Sequence, residues 1–137
     1  MKPITSSNSS ALNGSINIPG DKSISHRSLI ISSLATGKTT IKGILKGKDI
    51  ISSKSALEKM GVIIKEENGI FEVYGVGSGG LLEPDDIIDL GNSGTSARLL
   101  IGLISSHKIV ATLTGDNSLR KRPMGRIIDP SKKIRAK

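Results

Sequence analysis

The chain has 137 residues and a formal net charge of +8, and it contains no cysteine; disulfides and thiolate metal sites are excluded and acidic partners are favoured. Phe71 and Tyr74 are its only aromatic residues, too few to build a platform for stacked bases, so no nucleic-acid partner is expected. The polar start "MKPITSSNSS" has no signal-peptide core, and no apolar run approaches the roughly 18 residues that span a bilayer, so a cytoplasmic protein without a membrane partner is expected.

In chain order, "SINI" (15–18) reads as a short strand broken by Pro19-Gly20. Residues 23–35 read as a helix on which Ile24, Ile31, Leu34 and Ala35 can share a face. "KTTIKG" (38–43) has strand chemistry, and "KDIISSKSALEKM" (48–60) reads as a helix stopped by Gly61. "VIIKEENGIFEVYG" (62–75) predicts two strands around Asn68-Gly69, a strong hairpin signal. "IIDL" (87–90) is a strand leading into a second glycine turn, "GTSARLLIGLISS" (94–106) a helix, and "IVATLTG" (109–115) a strand. Residues 116–122 read as a basic loop, and a last helix starts near Pro123. The basic charge gathers here: residues 116–137 carry eight Lys or Arg against Asp116 and Asp129.

The order of elements repeats. With a shift of 71, Gly20 falls on Gly91, Ser25 on Ser96, Arg27 on Arg98, Leu29 on Leu100 and Ile30 on Ile101. Each copy has a strand-like segment, a glycine turn, then a helix with Ser and Arg in its first turns. The chain therefore reads as about one and a half copies of a unit of roughly 70 residues.

Both glycine turns carry groups that suit an anion. The first turn of a helix has unpaired N–H groups and a partial positive charge. In "GDKSISHR", Ser23 and Arg27 are four apart and share a face, and Lys22 adds a mobile point charge. In "GNSGTSAR", Gly94 admits an anion close to the backbone, Asn92 can donate, and Arg98 repeats Arg27; the following loop adds Arg120, Lys121 and Arg122. A forked guanidinium and a hydroxyl suit a phosphate monoester. Taken singly, each turn is also what an ordinary helix cap would show; two in register, followed by a basic loop, favour anion binding. Neither is a P-loop, since no Gly-Lys-Ser/Thr follows a four-residue gap. His26 reads as structural rather than catalytic, and His107 as a surface residue. Glu58, Glu66, Glu67, Asp85 and Asp86 have no matching partner, and no motif sets paired carboxylates near Lys22 or Arg122. The rival reading is a non-enzymatic basic protein that binds polyanions.

The strings "PGDKSISHR", "LGNSGTSARLL" and "LTGDNSLRKRPMGRIIDP" together resemble the 5-enolpyruvylshikimate-3-phosphate synthase family, in order and spacing, over nearly the whole chain. The resemblance implies an α/β (α+β) fold of two domains built from βαβαββ units, with helix N-termini facing a cleft. It implies transfer of the enolpyruvyl group of phosphoenolpyruvate to the 5-hydroxyl of shikimate 3-phosphate in the shikimate pathway, with no metal or organic cofactor. It makes Lys22 catalytic and in contact with both substrates. It gives Ser23 and Arg27 to shikimate 3-phosphate, and Gly94 and Arg122, with Asn92 nearby, to phosphoenolpyruvate. Residues 1–19 would belong to the other domain, 20–85 to the first repeat and 86–137 to a second, truncated one. Family members are longer, so the remainder of such an enzyme is an expected partner and the isolated 137 residues are expected to be inactive. The end also departs from the family: Ser131 stands for an apolar residue on what would be a buried helix face, and Ile134-Arg135 for a Met-Gly at its cap.

Overall fold

The computed structural model describes residues 3–134. Helix α1 (Lys22–Leu34) is followed by strand β1 (Thr36–Lys42), helix α2 (Lys48–Lys59) and the hairpin of β2 (Ile63–Glu67) and β3 (Ile70–Val76). Strand β4 (Ile88–Asp89), helix α3 (Gly94–Ile104), strand β5 (Leu113–Thr114), and helices α4 (Asn117–Arg120) and α5 (Gly125–Lys133) complete it. The fold class is therefore α/β, as expected.

The first sheet is antiparallel in the order β1-β3-β2. Its hairpin turns at Asn68 (φ 49°) and Gly69 (φ 77°), the two left-handed positions that a two-residue turn of this kind needs. The register puts Ile41 opposite Phe71, and both Thr39 and Ile64 opposite Val73, on one face. Phe71 and Val73 are fully buried beneath the helices. The other face is polar: Lys38 pairs with Glu72 at 2.8 Å, and the Lys65 ammonium lies 5.4 Å from the centre of the Tyr74 ring. Alternation along each strand thus separates core from solvent. In the second unit β4 and β5 pair in parallel, joined through α3, the usual way to connect parallel strands. One contiguous core takes Leu29 from α1, Ile50 and Leu57 from α2, Phe71 from β3, Ile88 from β4 and Leu100 from α3.

Several expectations need correcting. Residues 15–18 form no strand; all of 3–19 is exposed and joins no ladder, and an extended segment without a strand partner has nowhere to place its backbone hydrogen bonds except water. The expected strand 109–115 shrinks to Leu113–Thr114, and the basic loop contains the short helix α4, capped by Asp116. On α1 the buried face is not the one that hydrophobic spacing indicated. Ile24 and Ile31 are exposed, whereas Ser25, His26, Leu29, Ser32 and Ser33 are buried. The helix is turned this way because its inward groups close hydrogen bonds: Ser25 Oγ donates to Asp21 O at 2.7 Å and accepts from Leu45 N at 3.0 Å. Helix α5 buries no residue, so Ser131 does not lie on a buried face, and its hydroxyl donates back to Ile127 O at 2.8 Å. Arg135 lies outside the described residues. Glu58 and Glu66 do have partners, in Lys54 and Lys46, and His107 is half-buried, with Nδ1 3.0 Å from Leu103 O.

Phe71 is the largest side chain in the core. Replacing it by Ala should cost about 3–5 kcal/mol in chemical denaturation, a large part of the stability of so small a domain. A loss below about 1 kcal/mol would mean that the sheet packs its helices differently.

Candidate functional site

The two glycine turns are built alike, for different local reasons. At Gly20 a Cβ would meet Gly43 O at 2.0 Å and Leu45 N at 3.0 Å, so the position is closed to any side chain. Gly91 has φ +56°, the left-handed region that favours glycine. After each turn a side chain caps the helix. Asp21 accepts from Ile24 N at 2.8 Å, and Ser93 from Ser96 N at 3.2 Å. The shift of 71 then holds in three dimensions. Ser25 and Ser96 are both buried, as are Leu29 and Leu100. Arg27 Nη1 donates to Ser23 O at 3.1 Å, and Arg98 Nη1 to Gly94 O at 3.2 Å. Each arginine is thus folded back over the first turn of its own helix.

At the first turn, Lys22, Ser23 and Arg27 are exposed on one end of α1. Lys22 is ion-paired with Asp49, in the first turn of α2. A cavity of about 260 Å³ lies there, lined by Lys22, Gly47, Lys48 and Asp49 among others. Asp49 is the residue that sequence reasoning missed. It lies 27 positions from Lys22, and only the packing of α1 on α2 brings the two together. The sequence signal was its place in the first turn of a helix, where a carboxylate is favoured.

At the second turn, Asn92 joins two neighbours: its Nδ2 donates to Asp116 Oδ2 at 2.7 Å, and its Oδ1 accepts from Arg122 Nη2. Asp116 Oδ1 accepts from Leu119 N at 2.8 Å. That backbone hydrogen bond, with help from Asn92 and Arg122, holds the Asp116 carboxyl below the usual range against the opposing effect of burial. A methyl group on Gly94 would lie 2.7 Å from Arg122 Nη1 and 3.0 Å from Arg98 Nη1. Two guanidinium groups therefore roof the first turn of α3 at its glycine. This side also holds a carboxylate, Asp116, to which the sequence reading gave no role.

The two turns are connected. Ser96 Oγ donates to Asp49 O at 3.1 Å, so the residue that holds Lys22 through its side chain is held by α3 through its backbone. Below them, His26 is fully buried with Nδ1 2.8 Å from Ser53 Oγ. Burial first, then the charges of Lys22 and Arg27, lower its pKa from the ordinary 6.5, with Asp49 pulling the other way. The structure thus brings together Lys22, Ser23 and Arg27 at one turn and Asn92, Gly94 and Arg122 at the other.

A family model described as EPSP synthase (3-phosphoshikimate 1-carboxyvinyltransferase) matches residues 6–137. The chain belongs to the EPSP synthase family. It is 51% identical over 131 residues to the 3-phosphoshikimate 1-carboxyvinyltransferase of Novosphingobium aromaticivorans, covering 95% of this chain and 30% of that protein. It is 53% identical over 129 residues to the enzyme of the same name from Sphingopyxis alaskensis, covering 93% and 29%. The solved EPSP synthase of Acinetobacter baumannii superposes with a TM-score of 0.86 at 44% identity, over 90% of this chain and 28% of that one. The α/β architecture described above is therefore a part of the EPSP synthase fold, and the chain spans about 30% of the length of the relatives it matches.

The site yields two expected outcomes. Gly94→Ala should leave the fold intact, because the crowded atoms are the mobile ends of two arginines. It should nevertheless weaken inorganic phosphate binding at this turn several-fold, as read by amide shifts of residues 92–98; unchanged affinity would show that the guanidinium roof is not an anion cradle. The second outcome concerns pH. A histidine whose pKa is lowered by folding is neutral in the native state, while the unfolded chain takes up its proton below about 6.5. Stability should be complete above pH 6.5 and fall below it, by at most about 1.4 kcal/mol per pH unit for this one proton. Glu72 and Asp116, both lowered from ordinary values of 4.5 and 3.8, act only at more acid pH. His26→Asn should flatten the decline just below pH 6.5; an unaltered slope would contradict the assignment.

Proposed function

We propose that this chain supplies the shikimate 3-phosphate surface, and part of the phosphoenolpyruvate surface, of a 3-phosphoshikimate 1-carboxyvinyltransferase. The observation that carries the reading is the paired construction of the turns: two helix N-termini whose Ser and Arg positions share one register, each roofed by its own arginine, joined through Asp49. Such an N-terminus offers N–H donors and a positive dipole to an anion, and a guanidinium adds a directional fork.

In this reading Ser23 and Arg27 hold the phosphate of shikimate 3-phosphate. Gly94 and Arg122, with Asn92 orienting Arg122, receive the phosphate of phosphoenolpyruvate. Lys22 lies between, contacts both substrates and is the catalytic residue of this chain. It can donate to the bridging or phosphate oxygens as phosphate departs, so that charge developing on the leaving group meets a fixed cation. An arriving phosphate competes with the Asp49 carboxylate for the Lys22 ammonium. Residues 20–85 and 86–137 act as two units of one substrate-binding domain, and residues 1–19 belong with the enzyme's other domain; their exposure and lack of a strand partner support this. The remainder of the enzyme is the partner that completes the cleft, and such an enzyme works in the cytoplasm.

Titration of the 137-residue chain with shikimate 3-phosphate should move the amides of residues 22–27 and 93–98. Binding should be weak, because charges left hydrated interact weakly. Arg27→Ala should weaken it about tenfold or more, the scale of a lost charged hydrogen bond. The chain alone should release no phosphate from phosphoenolpyruvate, since proton transfer to carbon needs positioned acids and bases. Unmoved amides at both turns would overturn the substrate assignment.

A further inference from the structure

We infer that His26 is a positioning residue for both anion turns. As the neutral Nδ1–H tautomer, it heads a one-way hydrogen-bond chain through Ser53 and Ser96 to the Asp49 carbonyl. The inference rests on the proposed function only in treating those turns as binding anions. The imidazole and hydroxyls of the chain are buried: His26, Ser53, Ser93 and Ser96 are each 0% exposed, and the chain ends at the half-buried Asp49. His26 Nδ1 lies 2.8 Å from Ser53 Oγ, Ser53 Oγ 2.8 Å from Ser96 Oγ, and Ser96 Oγ 3.1 Å from Asp49 O. Ser93 Oγ lies 2.5 Å from Ser96 Oγ.

Counting protons gives the direction. A backbone carbonyl can only accept, so the single hydroxyl proton of Ser96 points at Asp49 O. Ser96 must then accept from both Ser53 and Ser93. That spends the proton of Ser53, which can meet His26 Nδ1 only as an acceptor, so Nδ1 carries the proton. Ser93 in turn accepts from Ser96 N. Every hydroxyl in the layer is then satisfied. With the proton on Nε2 instead, Ser53 would have to serve both Nδ1 and Ser96 with one hydrogen, leaving two buried lone pairs facing each other. An imidazolium fares no better, because Nε2 has no hydrogen-bond partner among the described residues.

The members of this chain lie beneath the working groups. His26 precedes Arg27 on α1 and follows Lys22 by one turn. Ser53 follows Asp49 by one turn on α2. Ser96 lies two residues after Gly94 on α3, and Ser93 is the cap of that helix. The chain therefore ties the N-terminal halves of three helices together. It is directional where an apolar layer of equal volume would not be, and fully satisfied buried polar networks specify one arrangement in this way. Its last acceptor belongs to the residue whose carboxylate holds Lys22. Loosening the chain at His26 or Ser53 should let α2 shift against α1 and α3, and so move Asp49 and the α3 cap together.

The test uses the 137-residue chain at neutral pH. Nitrogen-15 NMR of the histidine ring should show His26 protonated at Nδ1 and bare at Nε2 before any ligand is added. Ser53→Ala should move the amides of Lys22, Asp49 and residues 93–96 together while leaving the 63–76 hairpin unmoved. It should also weaken shikimate 3-phosphate binding between about twofold and tenfold, the scale of one neutral hydrogen bond. His26→Asn, whose amide nitrogen can stand where Nδ1 stands, should bind within about twofold of the parent; His26→Gln, whose amide reaches the Nε2 position, should not. An Nε2–H ring in the parent chain would overturn the inference. So would shifts confined to the immediate neighbours of residue 53, or equal binding by the Asn and Gln variants. If the tautomer and the joint shifts appear but shikimate 3-phosphate binds to no form, the functional reading fails while the positioning of the two turns by His26 stands.

Discussion

Asp49 serves two helices at once. Its carboxylate holds the Lys22 ammonium of α1, and its carbonyl accepts the Ser96 hydroxyl of α3. Almost everything proposed for the site depends on that double attachment. Without it, Lys22 would not be tied to the second turn, and the two turns would share only the buried hydroxyl layer beneath them. With it, the two turns are linked through one residue, as the proposed binding of two phosphate-bearing substrates side by side would require. The surface ion pair adds little to stability, being partly hydrated; its contribution is to aim Lys22.

The platform for this arrangement is one-sided. Phe71, Val73, Leu29 and Leu57 form a core between a small sheet and two helices, while the outer face of the sheet carries Lys38, Glu72, Lys65 and Tyr74. The helices therefore have a single surface to pack on. Close approach is enforced by glycine at Gly75, where a Cβ would meet Ala35 O at 2.2 Å and Ser32 O at 2.4 Å. Helix α1 is thus seated on β3 at its end while its beginning is left to the polar layer. The second unit contributes less to the core after α3, and α5 buries nothing.

Much of this was legible in the sequence because it is written in local chemistry. The Asn68-Gly69 turn, the seven elements of five residues or more, the 71-residue shift and the cationic groups at both turns each rest on residues close together in the chain. The lost features are non-local. The "SINI" strand has the right residues but finds no partner strand. Hydrophobic spacing chose Ile24 and Ile31 for the inner face of α1, and the structure chose His26, Ser32 and Ser33, because a buried polar layer leaves no apolar period to detect. Asp49 and Asp116 join the site only through tertiary packing, across 27 positions to Lys22 and 24 to Asn92. The five-residue match between the turns did carry real information: it reproduces the same arginine-to-carbonyl contact at both.

The central claim is that the turns form one binding unit coupled through Asp49. A double-mutant cycle measures it most directly, with Lys22→Met and Ser96→Ala made singly and together and shikimate 3-phosphate affinity read for each. Lys22 and Ser96 sit on different helices and both contact Asp49, so the account predicts an interaction energy above about 0.5 kcal/mol. Additive losses, within about 0.3 kcal/mol, would contradict it and reduce the site to two independent helix ends.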